Sequence, residues 1–353
     1  MTPGLEAPLV EELGALGVRG RPEVGGATFE VDRAALYRLH LHARLPARLW
    51  VRMGTVKARS LEGLSTAVRG LAWGEYVWAR QPLDVRVVAT GTRIGRRDVI
   101  GHKVELAIRD ALRVPRREHG RPPREPVEVL VRIEGEQAEL SVDASGELLH
   151  RRGWRADVSE APLRENLAAA VLWLAEWQPG EPLIDPMCGS GTFPIEAATI
   201  AAALAPGRAR AFAFERWPSH DRALWTTVRG EPADARVPTV IVGSDRDESA
   251  IRAAKANAKR AGVDIELRCV PCSDAPVPPG PGLVVVNPPY GARLATSDAW
   301  SQLAALVRGP ARGYRVAVVC PDAGLLRRAG LTLPKIASFS NGGIGVGVFV
   351  GKP

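Results

Sequence analysis

Two stretches of this sequence carry residue types suited to chemistry as well as to packing. The first is Leu183 to Ala198, LIDPMCGSGTFPIEAA. It reads as a short apolar strand closed by Asp185 and Pro186, a tight loop through Cys188, Gly189 and Gly191, and a helix from Thr192 onward. Glycines in such a loop take positive φ and let the backbone lie against a ligand. A strand-loop-helix unit places that ligand at the carboxyl end of the strand. The loop is neither G-x-G-x-x-G nor G-x-x-x-x-G-K-[ST], so a dinucleotide or a triphosphate is not its first expected occupant. The second stretch is Asn287-Pro288-Pro289-Tyr290-Gly291, directly after the apolar run Leu283 to Val286. Its two prolines fix φ and stiffen the loop. The Asn287 amide oxygen and the Pro288 carbonyl are acceptors for the hydrogens of an amine. Tyr290 offers a face for a planar base, a contact worth about 1–3 kcal/mol in single-strand sites. Either stretch alone also suits a turn that binds nothing. Both together, each behind an apolar strand, favour a site.

The pair resembles a class I S-adenosylmethionine-dependent methyltransferase that modifies an amino nitrogen. The resemblance implies that Asp185, Pro186, Cys188, Gly189, Gly191 and Thr192 hold S-adenosylmethionine, and that Asn287, Pro288, Pro289 and Tyr290 hold the amine. An exocyclic amine conjugated to a purine is a poor nucleophile, because its lone pair is delocalised. Acceptance of both hydrogens by Asn287 and Pro288 draws the nitrogen toward tetrahedral geometry, with the lone pair facing the methyl sulfonium. Positioning of this kind contributes several kcal/mol, about 7–11 at best. A paired base must first be turned out of its helix. By the same resemblance the helix within Ser159 to Trp177 closes over the cofactor. Ser159 is its expected cap, Pro162 lies in its first turn, and Pro162 to Asn166 make the contact. Glu165 and Asn166 equally suit an exposed first turn. Asp274 sits where the family accepts from the adenine amino group. Asp245, closing the strand that begins at Thr239, is suited to both ribose hydroxyls. It equally suits an N-cap for the next helix, in whose first turn Asp247 and Glu248 have a structural role.

These residues need a sheet to hold them. Apolar runs predict parallel strands at Leu183, Thr239 to Val242, Ile265 to Val270, Leu283 to Val286 and Tyr314 to Val319. Leu331 to Phe339 and Ile344 to Phe349, joined through Asn341-Gly342-Gly343, predict a closing hairpin. The fold class is therefore α/β, a Rossmann-like class I methyltransferase sheet in the C-terminal half. Before it, an amphipathic helix over residues 5–16, a strand at Thr28 to Val31, a helix at Ala34 to Ala43 and a strand at Leu49 to Met53 predict a small α+β unit. A second α+β pattern follows. It comprises a helix at Ser60 to Leu71, a strand at Leu83 to Ala89, a helix at Lys103 to Arg113 and a hairpin from Val127 to Val142. This order resembles a ferredoxin-like unit followed by a THUMP domain, a module that binds structured RNA. The expected domains are 1–55 ferredoxin-like, 56–148 THUMP, 149–160 linker and 161–353 methyltransferase.

Charge points the same way. Net charge is +8 over 353 residues, and residues 1–155 carry 26 Lys+Arg against 20 Asp+Glu, so most of the excess lies in the first half. That asymmetry suits a polyanion. In the run LHRRGWR at 149–155, Arg151, Arg152 and Arg155 flank Trp154. The cluster suits phosphate pairing and base stacking, or equally an interdomain hinge whose arginines meet carboxylates. Its Gly-Trp-Arg end is similar to the Gly-Tyr-Arg joining THUMP to the catalytic domain in this family. With the glycine loop, the APGRARAFAFERW segment at 205–217, NPPYG and the final FSNGGIGVGVF, it resembles the THUMP-containing N2-guanine methyltransferases. Pro186 to Gly191 is closest to their bacterial 23S rRNA branch. Some rRNA enzymes of this kind carry a second methyltransferase domain, for which this chain has no room, so a tRNA guanine substrate stays open. DNA adenine and protein glutamine methylation use the same loop but leave the basic half without a role. A non-enzymatic RNA-binding assembly factor is the remaining alternative.

Other classes are disfavoured. Four cysteines do not make a disulfide framework, and the Cys269-x-x-Cys272 pair lacks a second pair or nearby histidines for a metal. No apolar run is long enough for a membrane span and the N-terminus lacks a basic signal pattern. The expectation is a cytoplasmic protein without a metal.

Overall fold

The computed structural model describes residues 2–113, 122–156, 163–289 and 298–353. The chain divides into two compact units. One comprises residues 1–47, 149–210 and 228–353, and the other comprises residues 48–148 and 211–227.

The first unit begins with α1 (Glu6–Ala15), β1 (Gly20–Glu23), β2 (Gly26–Phe29) and α2 (Arg33–His42). β1 and β2 form a two-stranded antiparallel sheet. The returning strand expected at Leu49 to Met53 forms as β3 (Trp50–Lys57), but it does not rejoin them. It lies in the second unit and pairs with a strand there.

The second unit continues with α3 (Leu61–Arg69), β4 (Leu83–Thr90), α4 (Arg97–Ala111), β5 (Val127–Glu134) and β6 (Gln137–Asp143). The Ser60 side chain caps α3 by accepting from the Gly63 N–H. The sheet order is β3-β6-β5-β4, with β4 parallel to β5 and the other pairs antiparallel. Val129, Val131, Ile133, Leu140 and Val142 are buried with Leu64, Val68, Ile100, Val104 and Ile108 of the two helices. Residues 211–227 return to this unit from the later sequence. Their Phe212, Phe214, Trp217 and Trp225 are buried, and Trp217 meets Tyr76 edge-on at 4.8 Å. The aromatics of the segment at 205–217 thus serve packing.

The first unit resumes with α5 (Glu165–Leu174), β7 (Leu183–Asp185) and α6 (Thr192–Ala201). After α7 (Arg222–Arg229), most of which belongs to the second unit, β8 (Ile241–Asp245), α8 (Glu248–Ala261), β9 (Glu266–Cys269) and β10 (Leu283–Val286) follow. α9 (Asp298–Arg308), β11 (Arg315–Cys320), α10 (Ala323–Arg328), β12 (Lys335–Asn341) and β13 (Ile344–Gly351) complete the chain. α5 starts at Glu165, with Arg164 in the capping position, later than the Ser159 signal suggested. Ser159 and Pro162 lie outside the described residues.

Seven strands make one sheet in the order β12-β13-β11-β10-β7-β8-β9. β9 through β11 run parallel, and β13 and β12 add antiparallel. β10 and β11 are aliphatic and buried at almost every position, as strands covered on both faces must be. The hairpin turns through Gly342 and Gly343, at φ 58° and 86°, the left-handed pair a two-residue hairpin turn requires. Strand order reverses between β7 and β10, which are direct neighbours. An open parallel sheet binds its ligand at that reversal, outside the carboxyl ends.

Within this unit the N-terminal segment is tied to α6 by buried charge. Arg44 pairs with Glu196 at 3.1 Å, and Arg152 pairs with the other oxygen of Glu196 at 3.3 Å. Glu12 is buried and accepts from the Arg44 and Leu45 N–H groups at 2.7 and 3.0 Å. Burial pushes its carboxyl from 4.5 up to about 7, against the pull of those two N–H groups. The folded state then holds a proton that the unfolded state releases. Stability from this group is full below about pH 4.5 and is lost as pH rises through about 7. Relative to Glu12→Gln, the wild type is expected to lose up to about 3 kcal/mol between pH 5 and 8. Thermal midpoints of both proteins across that window check this, and a constant difference contradicts it.

Candidate active site

Asp185 ends β7 and is buried, and its Oδ1 accepts from the Met187 N–H at 3.1 Å, which folds the chain sharply after Pro186. The Cys188 N–H then donates to the Ser244 carbonyl of β8 at 2.9 Å, and the Gly189 N–H donates to Asp245 Oδ2 at 3.0 Å. The loop is therefore stitched to the tip of the adjacent strand. Gly189 and Gly191 stand at φ 53° and 89°. Gly191 caps α6, and a Cβ there would lie 3.2 Å from both the Ala254 Cβ and the Ile195 Cδ1. Both the backbone conformation and the close approach of α8 require glycine. Thr192 opens α6 and is buried.

Asp245 closes β8. Its second oxygen accepts from the Asp247 N–H at 3.0 Å. The N-cap of α8 is Asp247, whose side chain accepts from the Ser249 N–H. Asp245 is thus not the cap, and each of its oxygens retains a lone pair for a further donor. Asp274 sits in the short turn after β9, exposed, with Ser273 Oγ donating to its Oδ1 at 2.9 Å.

Two carboxyl groups, Asp185 and Asp245, stand at the ends of the strands that flank the glycine loop. Burial raises the Asp185 carboxyl well above 3.8, the Met187 N–H opposes this, and the Asp245 charge adds to it. Burial likewise raises the Cys188 thiol, helped by Asp185 and Asp245. A cation beside Asp185 would favour its charged form.

At the tip of β10, Asn287 is half-buried and its Oδ1 is shielded from solvent with no partner among the described residues. A buried acceptor without a donor costs about 1–3 kcal/mol, so such an atom invites a ligand. Pro288 is buried and Pro289 half-buried. Tyr290 lies outside the described residues. β10 and β7 are hydrogen-bonded parallel neighbours, paired at Leu283–Leu183 and Val284–Ile184, so Asn287 and the glycine loop follow the carboxyl ends of adjacent strands.

Other residues singled out from sequence are placed differently. Glu165 and Asn166 are buried rather than exposed, and Asn166 Nδ2 donates to the Leu45 carbonyl at 3.2 Å. Of the Gly-Trp-Arg run, Arg152 and Trp154 are buried and Arg155 is partly buried. Arg152 meets Glu196, Arg155 meets Glu165, and Trp154 packs on Ile195, Ala258 and Ala261. The two arginines meet carboxylates inside the fold and the indole packs on aliphatic side chains, which does not suit phosphate pairing or base stacking by these three. Of the four side chains in the cluster, Arg151 alone is exposed. Sequence reasoning also passed over Ser190 and Asn257. Asn257 is fully buried and donates from Nδ2 to the Ser190 carbonyl at 3.0 Å. A single Asn among the alanines on the buried stripe of α8 is the signal that marks it.

Strand order, glycine loop and proline loop define a class I methyltransferase, the class that draws its methyl group from S-adenosylmethionine. Residues 152–308 match the family described as "RMKL-like, methyltransferase domain", and residues 1–50 match "RlmL ferredoxin-like domain". The chain is 34% identical over 356 residues to "Putative RNA methyltransferase slr0064" of Synechocystis sp., covering 97% of this chain and 92% of that protein. It belongs to this family of RMKL-like methyltransferases. It is also 35% identical over 366 residues to "Ribosomal RNA large subunit methyltransferase K/L" of Syntrophotalea carbinolica, covering 97% of this chain and 51% of that one. The chain thus spans about half the length of that curated K/L relative. Among solved structures, "SMU.472, a putative methyltransferase complexed with SAH" superposes with a TM-score of 0.89 at 30% identity, over 99% of this chain and 95% of that chain.

Proposed function

We propose that this chain transfers the methyl group of S-adenosylmethionine to the exocyclic N2 of a guanosine in 23S ribosomal RNA. The observation that carries the reading is the Asn287 amide oxygen, shielded from solvent and without a partner among the described residues, at the end of the strand that neighbours the one leading into the glycine loop. The relatives named as RNA and large-subunit rRNA methyltransferases support it.

The residues present fit the cofactor. Asp185, Pro186, Cys188, Gly189, Gly191 and Thr192 would receive it, with Asp245 accepting from its ribose hydroxyls and Asp274 from its adenine amine. Pro162 and Asn166 would close the near side. The acidic character at Asp185 and Asp245 suits a ligand bearing cationic groups. When bound, S-adenosylmethionine supplies an electrophilic methyl group on a sulfonium. Asn287 Oδ1 and the Pro288 carbonyl accept the two hydrogens of the guanine amine and fix the direction of its lone pair. Pro289 holds the loop stiff, and Tyr290 stacks on the extruded base. The barrier falls mainly because the amine is held in one orientation near attack distance.

The four-stranded unit, residues 48–148 with 211–227, would be the THUMP-like RNA-binding module, so the boundary expected at residue 55 moves to before β3. An rRNA substrate makes the protein cytoplasmic, and none of these steps calls for a metal. The reading is tested by incubating the full chain with tritiated S-adenosylmethionine and undermethylated 23S rRNA, tRNA or DNA. Label in 23S rRNA is the expected result. Label in tRNA alone moves the substrate to the tRNA alternative, and label in DNA alone, or in none, overturns the proposal.

A further inference from the structure

The guanidinium of Arg155 turns inward, onto the glycine loop. Its Nε donates to Glu165 Oε1 at 2.8 Å, its Nη1 to Ser190 Oγ at 3.1 Å, and its Nη2 to Thr192 Oγ1 at 2.8 Å. Nη2 also reaches the Leu163 carbonyl at 3.4 Å. The side chains of Arg155 and Glu165 are 13% and 4% exposed. Ser190 and Thr192 flank Gly191, so two hydroxyls of the glycine loop rest on one planar cation.

The preceding residue makes a second tie. The Trp154 carbonyl accepts from Arg260 Nε at 2.9 Å, and Arg260 Nη2 donates to Asn257 Oδ1 at 2.6 Å. Asn257 Nδ2 in turn donates to the Ser190 carbonyl at 3.0 Å. The Trp154 ring lies under the Arg155 guanidinium, 4.9 Å from it. Ser190 is thus held at its side chain by Arg155 and at its backbone by Asn257, which Arg260 links to the Trp154 carbonyl. From the opposite side the loop is held by the Gly189–Asp245 and Cys188–Ser244 bonds.

We propose that Arg155 is a positioning residue for the cofactor loop, setting Ser190 to Thr192 so that the backbone of Gly189 and Gly191 is ready for S-adenosylmethionine. The inference rests on the methyltransferase reading of that loop. A cation at the start of α6 opposes the helix dipole, and Glu165 neutralises it. What the site uses is therefore the fork, which reaches several acceptors in fixed directions where a lysine ammonium is a single point. A loop fixed before binding does not have to be ordered during it, and so binds more tightly. Lysine at 155 keeps the pair with Glu165 but releases at least one loop hydroxyl.

The test is calorimetric titration of the full chain with S-adenosylhomocysteine, alongside steady-state kinetics. Arg155→Lys is expected to weaken binding about tenfold, and to raise KM for S-adenosylmethionine with kcat at saturation within about threefold. Ser190→Ala is expected to weaken binding about threefold, and the double variant to be no worse than Arg155→Lys alone, since both release one contact. Wild-type affinity in Arg155→Lys overturns the proposal, as does a fall in kcat at unchanged KM, or additive losses in the double variant. If Arg155→Lys does not accumulate, Ser190→Ala decides, and unchanged affinity there overturns the proposal. A wild type that fails to bind S-adenosylhomocysteine overturns the methyltransferase reading instead.

Discussion

Asn287→Ala is expected to lower the methyl-transfer rate on the order of a thousandfold, the scale on which removing one preorganised polar partner of a reacting group acts. Affinity for S-adenosylhomocysteine is expected to stay within about twofold, because the altered side chain belongs to the amine side of the crevice. The amide oxygen is buried and unpartnered among the described residues, so removing it leaves no protein donor stranded and folding is little affected. Asn287→Asp keeps an acceptor oxygen at the same place and is expected to recover part of the rate. Single-turnover transfer at saturating RNA and cofactor measures both. Equal rates for Asn287→Ala and wild type contradict the assigned role.

The second large effect is on stability. Glu196→Ala is expected to destabilise the protein by about 3–5 kcal/mol, the usual cost of stranding a buried charge. Glu196 is 1% exposed and serves two cations, Arg44 and Arg152, whose side chains are 13% and 3% exposed. Burial already lowers the Arg44 guanidinium, and Glu196 acts against that. Arg152 has further partners in the Leu149 and Arg44 carbonyls at 2.7 and 2.6 Å, which hold it in place when the carboxylate is gone. The variant therefore keeps two cations in a dry site. Glu196→Gln retains an acceptor and is expected to lose less. Chemical denaturation monitored by tryptophan fluorescence checks the order wild type, Gln, Ala. A Glu196→Ala protein as stable as wild type contradicts it.

Much of the sheet was legible because its strands are locally unambiguous. Leu283 to Val286 and Arg315 to Cys320 are nearly uninterrupted aliphatic runs. The glycine pair at 342–343 fixes a hairpin wherever it falls between two strands. Gly191 was legible as a loop residue, and its left-handed backbone bears that out. Pairing between distant segments was not legible. β3 has a strand pattern that suits any neighbour, and only tertiary structure gives it β6. The aromatic run at 212–217 lies among catalytic-half residues in sequence but folds into the other unit. Buried cations were the hardest. Arginine is mostly exposed in proteins, so Arg152 and Arg155 read as surface groups until their partners Glu196, 44 residues on, and Glu165, 10 residues on, are seen. Helix α5 starts later than its Ser-Pro signal, with Arg164 extended directly ahead of it.

The central claim is that the crevice between β7 and β10 presents a guanine amine to the methyl donor. Its most direct measurement is nucleoside mass spectrometry of 23S rRNA after incubation with the full chain and S-adenosylmethionine carrying a deuterated methyl group. The account predicts that the label appears in N2-methylguanosine and disappears with Asn287→Ala. Label in a ring-nitrogen, ribose or adenosine product, or label undiminished by Asn287→Ala, contradicts it.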